Sequence, residues 1–357
     1  MTKKSSQNNT PSPKSASNGG RVSLKEVARL AGVAPSTVSF ILNGKAAEMR
    51  IREEVAIKVK EVARKAGYTP HQVAVSLRTG QSRILGLVVE SISGSFFAAL
   101  ARVIEEEASR YGYRVVYTST ENDAAKGRAM IHMLSHWHVD GYLITPAPGM
   151  EKDIQDLLDK KRPVVLMDGF FPGIKAPFVL VDNYAGVKTG VQQFIKKGYQ
   201  RIGYVTADVD LIQLDERLNA YRDTLEANNL PVQKKRILKI PYNHPRADAI
   251  RMISEFLEQA SPRLDAVYFS TNYLGLLGLE SLRHLNWQLP KDIAMMCFDD
   301  HDIFRLYQPG ITVMEQPVEE IAKTAIQLLM KQLGKTDVRI RKTQVRLAGK
   351  FIQRGSL

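Results

Sequence analysis

Three polar side chains stand just past short apolar runs. Asp168 follows Val164–Met167, Asp299 follows Ala294–Phe298, and Asn272 follows Ala266–Phe269 and a Ser-Thr pair. In parallel sheets, ligands sit beyond the carboxyl ends of strands. Carboxylates and amides orient hydroxyl groups well, and Phe96 or Phe97 can cover a sugar ring. Taken singly, each Asp or Asn is more often a helix cap; their recurrence at several strand ends points to one polar cleft. Near the amino terminus, Pro35, Ser36, Ser39 and Phe40 share a helical face that carries no Lys or Glu. Ser36 and Thr37 sit in the first turn, where hydroxyls can bond base edges, and Phe40 can touch a thymine methyl.

Other groupings carry less. His132, His136 and His138 suggest a metal, but His138 falls where the helix should end, so the three need not share a face. Asp299, Asp300, His301 and Asp302 fit ligand binding and capping better than acid–base catalysis. The loop after the first strand has no GxGxxG pattern, and no GxxxxGK[ST] stretch occurs, so neither a nicotinamide cofactor nor a P-loop is expected. The sequence thus predicts no catalysis, no cofactor and no metal.

The elements that hold these residues are legible. Ser23 and Glu26 form a capping box; Leu24, Val27, Ala28 and Ala31 repeat at helical spacing, and Gly32 can end that helix. Pro35 opens a second helix that runs to about Leu42, with Val38, Ile41 and Leu42 inward, before Asn43-Gly44. A third spans about 52–66, with Val55, Val59, Val62 and Ala66 inward. Two short helices across a tight turn, braced by a third, make a helix-turn-helix. From Ile84 onward, β-rich runs (84–89, 114–117, 141–144, 164–167, 202–205, 266–269, 293–298) alternate with helical stretches such as 96–111 and 184–197. That alternation predicts parallel sheets with crossover helices. Two sheets fit the length better than one.

Composition agrees. At about 100–200 residues per domain, 357 residues suggest two or three domains. The net charge is +13, and residues 1–83 hold 15 Lys/Arg against 5 Asp/Glu. So concentrated a positive patch suits a polyanion, although a basic solubilising tail would show the same balance. The single Cys297 excludes a disulfide scaffold and a cysteine-based zinc finger. No apolar run of about 18 residues predicts a membrane span. Residues 1–20 are polar and read as a disordered tail rather than a secretory signal, so a cytoplasmic protein is expected.

Leu24-Lys25-Glu26-Val27-Ala28-Arg29-Leu30-Ala31-Gly32-Val33, Ser36-Thr37-Val38-Ser39 and Ile41-Leu42-Asn43-Gly44 resemble the headpiece of the LacI/GalR transcriptional regulators. Gly67-Tyr68-Thr69-Pro70, Ile84-Leu85-Gly86-Leu87-Val88-Val89, Pro163 to Asp168, Val181-Asp182-Asn183 and Phe298-Asp299-Asp300 extend the likeness, which runs from about Val22 to the end. The resemblance implies an all-α helix-turn-helix headpiece (21–68), a hinge helix and linker (69–83), and an α/β periplasmic-binding-protein-like effector domain (84–357). That domain would have two parallel-sheet subdomains, 84–183 with 313–339 and 184–312 with 340–357. It implies a homodimeric repressor that reads a pseudo-palindromic operator in double-stranded DNA and is set allosterically by a small molecule. A sugar is the first choice, with a phosphosugar or nucleobase as alternatives. The rival class is a sugar-binding or transport component, which has no use for a basic headpiece; a sugar-modifying enzyme is a weaker rival.

Carried over by position, Pro35, Ser36 and Phe40 would read bases, and Thr37, Ser39 and Asn43 would hold phosphates. Ala74 and Leu77 would belong to a hinge helix over 71–77, with Leu77 as a minor-groove wedge. Phe96, Asp168, Arg217, Asn272 and Asp299 would face the effector. Three departures stand out: Ala34 replaces a capping Ser, Phe40 a common Arg, and Tyr273 a common Asp. The segment 345–357 lacks leucine heptads, which argues against a tetramerising coiled coil.

Overall fold

A computed structural model describes residues 22–68, 80–335 and 340–357. The chain divides into two units, 1–80 and 81–357.

In the first unit, α1 (Leu24–Ala31), α2 (Pro35–Leu42) and α3 (Glu53–Lys65) close around Val27, Ala28, Ala31, Val38, Ile41, Ala56, Val59 and Ala63. The Ser23 hydroxyl accepts from the Glu26 amide at 3.2 Å, while the Glu26 carboxylate turns to Arg29 instead of back to Ser23. Gly32 takes φ 71°, the left-handed conformation that a side chain disfavours, and so turns the chain from α1 toward α2. The inward face of α3 is rotated from the expected one. Ala56, Val59 and Ala63 are buried, whereas Val55, Val62 and Ala66 are only partly covered. Short alanines at 56 and 63 let α3 lie closer than valines would.

The second unit holds two six-stranded sheets. Sheet A contains β1 (Ile84–Val89), β2 (Arg114–Ser119), β3 (Gly141–Ile144), β4 (Val164–Met167), β5 (Phe178–Val181) and β11 (Gln344–Leu347), ordered 11-5-4-3-1-2 and parallel throughout. Sheet B contains β6 (Ile202–Asp208), β7 (Ile237–Pro241), β8 (Ala266–Phe269), β9 (Ala294–Phe298), β10 (Thr312–Glu315) and β12 (Lys350–Ile352), ordered 12-10-9-8-6-7. Only β12 runs antiparallel to its neighbour.

Helices cover both faces of each sheet. On sheet A, α4 (Ser95–Arg110) and α12 (Val318–Gln332) bury one side, and α5 (Ala124–His136) and α6 (Glu151–Asp159) the other. On sheet B, α7 (Asn183–Lys196) and α8 (Ile212–Ala227) oppose α9 (Arg246–Gln259) and α10 (Asn272–His284). A short helix, α11 (Asp302–Leu306), follows β9. Gly275 brings α10 close to the sheet: a Cβ there would lie 2.6 Å from the Cys297 sulfur.

The chain passes between the sheets near 182 and again at two later points, which differ from 312 and 339. Thr312 to Met314 pair in parallel with Met296 to Phe298, so β10 belongs to sheet B and the second crossing falls at about 316–317 rather than 312. Gln344 to Leu347 pair with Phe178 to Val181, so 340–347 lie with sheet A and the return falls at about 348–349 rather than 339. Ladder hydrogen bonds between segments far apart in sequence decide both points, and local patterning does not carry that information.

Candidate functional site

In the first unit, α2 presents the residues singled out in its sequence. Pro35, Ser36 and Asn43 are exposed; Thr37, Ser39 and Phe40 are partly exposed; Val38 and Ile41 are fully buried beneath them. The Asn43 side chain donates to the Ser39 carbonyl at 2.6 Å and to its hydroxyl at 3.3 Å, which draws those two residues together at the end of the helix. Ala34 has an extended backbone and offers no side-chain cap, and the first turn carries no acid. The amino end of α2 is thus free of negative charge, as a helix meeting phosphates requires. Ala74 and Leu77 lie outside the described residues.

In the second unit, the carboxyl ends of the two sheets open onto one cleft of about 420 Å³. Phe96, Asp168, Arg217, Asn272 and Asp299 all line it. Five residues spaced over two hundred positions meet there because each stands at a strand end or in the first turns of a helix facing that edge. Phe96 meets Phe97 edge-on with ring centres 5.0 Å apart, and Phe97 is buried in the core below. Asn272 begins α10 and donates to the Ser95 hydroxyl at the start of α4, 3.1 Å away, so it links the two sheets' halves across the cleft.

Asp168 and Asp299 both take left-handed backbone conformations, with φ 60° and 71°. Such a turn redirects the chain sharply as it leaves a strand, and Asp tolerates it better than most residues. Both are nearly fully buried. Gln213 donates to Asp168 at 3.4 Å and Gln316 to Asp299 at 2.7 Å. Arg217 lies among them. Its Nε donates to Asn183 Oδ1 at 2.8 Å and its Nη1 to the Ser270 carbonyl at 2.7 Å, and the guanidinium stacks 3.7 Å from the centre of the Phe298 ring. Burial pushes the Asp168 carboxyl up to about 6, with Arg217 opposing and Asp299 reinforcing the rise. Burial raises Asp299 as well, with Arg217 and Gln316 opposing. Glu90, one step past β1, is pushed up to about 7 by burial and then by the Asp168 charge.

Sequence reasoning missed Glu90, Gln213 and Gln316. Glu90 directly follows β1, the same polar-after-apolar signal that marked Asp168 and Asp299, whereas Gln316 follows Glu315 at the end of the mixed strand β10 and lacked that signal. Gln213 stands one turn before Arg217 on α8 and had no signal of its own. The Asp-His cluster has structural work: Asp300 chelates Arg354 at 2.8 and 2.6 Å, Asp302 pairs with Arg305, and His301 caps α11 through its ring. Among the described residues no group of three or more His, Cys, Asp or Glu could hold a metal ion, and no helix is long and apolar enough to cross a membrane.

Residues 23–71 match the profile described as bacterial regulatory proteins, lacI family, and residues 191–357 match that of a periplasmic binding protein-like domain. The HTH-type transcriptional regulator KdgR of Bacillus subtilis is 28% identical over 325 residues, covering 88% of this chain and 92% of its own. A ribose operon repressor of Halalkalibacterium halodurans is 25% identical, covering 87% and 90%. A crystal structure of the lac repressor dimer bound to operator shares the fold, with a TM-score of 0.81 at 19% identity, over 94% of this chain and 99% of that one.

Proposed function

We propose, for a chain that belongs to the lacI family of bacterial regulatory proteins, that it is a sequence-specific transcriptional repressor whose operator affinity is set by a small molecule held in the cleft of its second unit. It acts as a homodimer, each helix-turn-helix reading one half of a pseudo-palindromic site. Pro35, Ser36 and Phe40 read base edges from α2, Thr37, Ser39 and Asn43 hold phosphates, and Ala74 and Leu77 belong to a segment that wedges into the minor groove. With Phe40 in place of an Arg, no bidentate guanine contact is available there, so the operator differs from those read by arginine.

The single observation that carries the regulatory reading is the convergence of Phe96, Asp168, Arg217, Asn272 and Asp299 on one cleft between two sheets. A ligand there touches both halves at once. It therefore favours one arrangement of them over another by its differential affinity, and that bias is what an allosteric effector must supply. A sugar is the effector class this reading favours. The same reading makes the protein no enzyme and places it in the cytoplasm, where its DNA partner lies.

Selection of duplexes from a random DNA library by the full chain tests the proposal. Enrichment of a two-fold symmetric sequence supports it. Failure to enrich any duplex, by a folded dimer and with a sugar panel present, overturns it.

A further inference from the structure

We infer that the cleft takes a hydroxyl-rich ligand bearing no negative charge, and that it excludes sugar acids, sugar phosphates and donor-poor bases such as adenine and hypoxanthine. This inference rests on the regulatory reading above and narrows its effector.

The first support is a count of charges. Glu90, Glu121, Asp168 and Asp299 line the cleft, against Arg217 and Arg246 as its guanidinium groups. Neither arginine offers a whole guanidinium to an anion. Two of Arg217's donors are committed to Asn183 and the Ser270 carbonyl, and its face is stacked on Phe298. Arg246 is paired with Glu280. An incoming carboxylate or phosphate would therefore meet Glu121, Asp168 and Asp299 in a partly desolvated site, with only part of one guanidinium left to hold it.

The second support is the balance of donors and acceptors. Gln213 and Gln316 each spend an N–H on a carboxylate, Asp168 and Asp299 respectively. That fixes the amides so that their carbonyl oxygens are left over, and both oxygens are buried without a partner. Two carboxylates and two amide carbonyls from residues lining one cleft all ask for hydrogen-bond donors, and a buried acceptor left unmet is costly. Asn122 and Thr271 also line the cleft and place a few donors at its side. A polyol supplies a donor and an acceptor at every carbon, which suits this surplus of acceptors with a few donors. Adenine offers three N–H donors and hypoxanthine two, too few for four acceptors. An amino-substituted sugar would place its ammonium among the acids.

The test uses the full chain and matched probes. Glucose, galactose, ribose, cellobiose and glucosamine form one set; gluconate, glucuronate, glucose 6-phosphate and ribose 5-phosphate form the second; adenine and hypoxanthine form the third. Melting temperature and affinity for the selected duplex are read with each. The expected result is a response to at least one member of the first set. Its acid or phosphate counterpart should bind at least about 100-fold more weakly. An acid, phosphate or base that binds as tightly as any neutral sugar overturns the inference, and so does silence from the whole first set. Asp168→Asn, which tolerates the left-handed backbone, should narrow the preference for neutral over acid probes by about tenfold; an unchanged preference also counts against it. If a duplex is selected and no polyol acts, the ligand class alone is wrong. If no duplex is selected, the regulatory reading has failed, and the melting data judge the ligand class separately.

Discussion

Arg346 and Glu216 join the two sheets' halves through a two-pronged ion pair, with nitrogen–oxygen distances of 2.8 and 2.7 Å. Arg346 lies on β11 of sheet A, and Glu216 on α8, which covers sheet B, beside Arg217 and one turn from Gln213. The same helix thus touches the cleft with Gln213, Leu214 and Arg217 and straps the opposite sheet with Glu216. Arg346→Met should cost about 1 kcal/mol of stability, because the pair is only partly buried. It should also broaden the distances between spin labels placed on the two sheets. Exchanging the partners, Glu216→Arg with Arg346→Glu, should narrow them again. A distribution untouched by Arg346→Met would deny the pair any part in holding the halves together.

Acid should stabilise the unliganded second unit. Glu90 holds its proton up to about 7 when folded, against an ordinary 4.5, so the folded state binds a proton that the unfolded chain releases between those values. Stability is then greatest below pH 4.5 on this group's account and declines as pH rises through 7, by up to about 3 kcal/mol. Asp168 adds a like decline between 3.8 and about 6. Urea unfolding at pH 5 and pH 8 measures the slope, and Glu90→Gln should flatten it. An equal slope in the variant would remove Glu90 as a source.

Ala34 sits at the amino cap of α2 with a suitable extended backbone and no side chain to offer. Ala34→Ser should stabilise the first unit by about 0.5–1 kcal/mol, seen as slower amide hydrogen exchange along α2. No slowing would show that the bare cap costs nothing there.

Asp299→Ala should abolish binding of whichever probe responds, by calorimetry, and leave duplex affinity in place. Alanine tolerates φ 71° poorly, so about 1 kcal/mol of stability should go with it. Asp299→Asn separates the causes, since it keeps the turn and removes only the charge. Full affinity in both variants would take Asp299 out of the site.

Leu77→Ala should weaken affinity for the selected duplex while leaving probe binding in the cleft unchanged, as a wedge that unstacks one base step would. Gel-shift titration against the selected and a scrambled duplex reads the difference, and equal loss on both would contradict the wedge.

What the sequence disclosed follows from where the physics is local. β1, β3, β4, β8 and β9 are almost wholly buried, so their apolar runs stand out. The edge strands β7, β11 and β12 mix exposed polar residues with half-buried ones, as in Gln344-Val345-Arg346-Leu347, and nothing in that pattern distinguishes a strand from a loop. Polar residues after a buried strand were readable as a cleft, which captured Asp168 and Asp299. Gln213 was not, because its role depends on α8 crossing to a carboxylate that another sheet holds.

The path of the chain also bears on how it is made. Sheet A is left half-covered when β5 ends at 181, because its remaining face waits for α12 at 318. Until then Leu143, Val165, Met167 and Val179 lack Ile321, Ala325, Ile326 and Leu329 as neighbours. At about 5–20 residues per second of synthesis, that apolar surface stays open on the ribosome for roughly 7–27 s. The nascent first half is therefore a natural client for chaperones, and slow elongation through the second half prolongs its risk of aggregation.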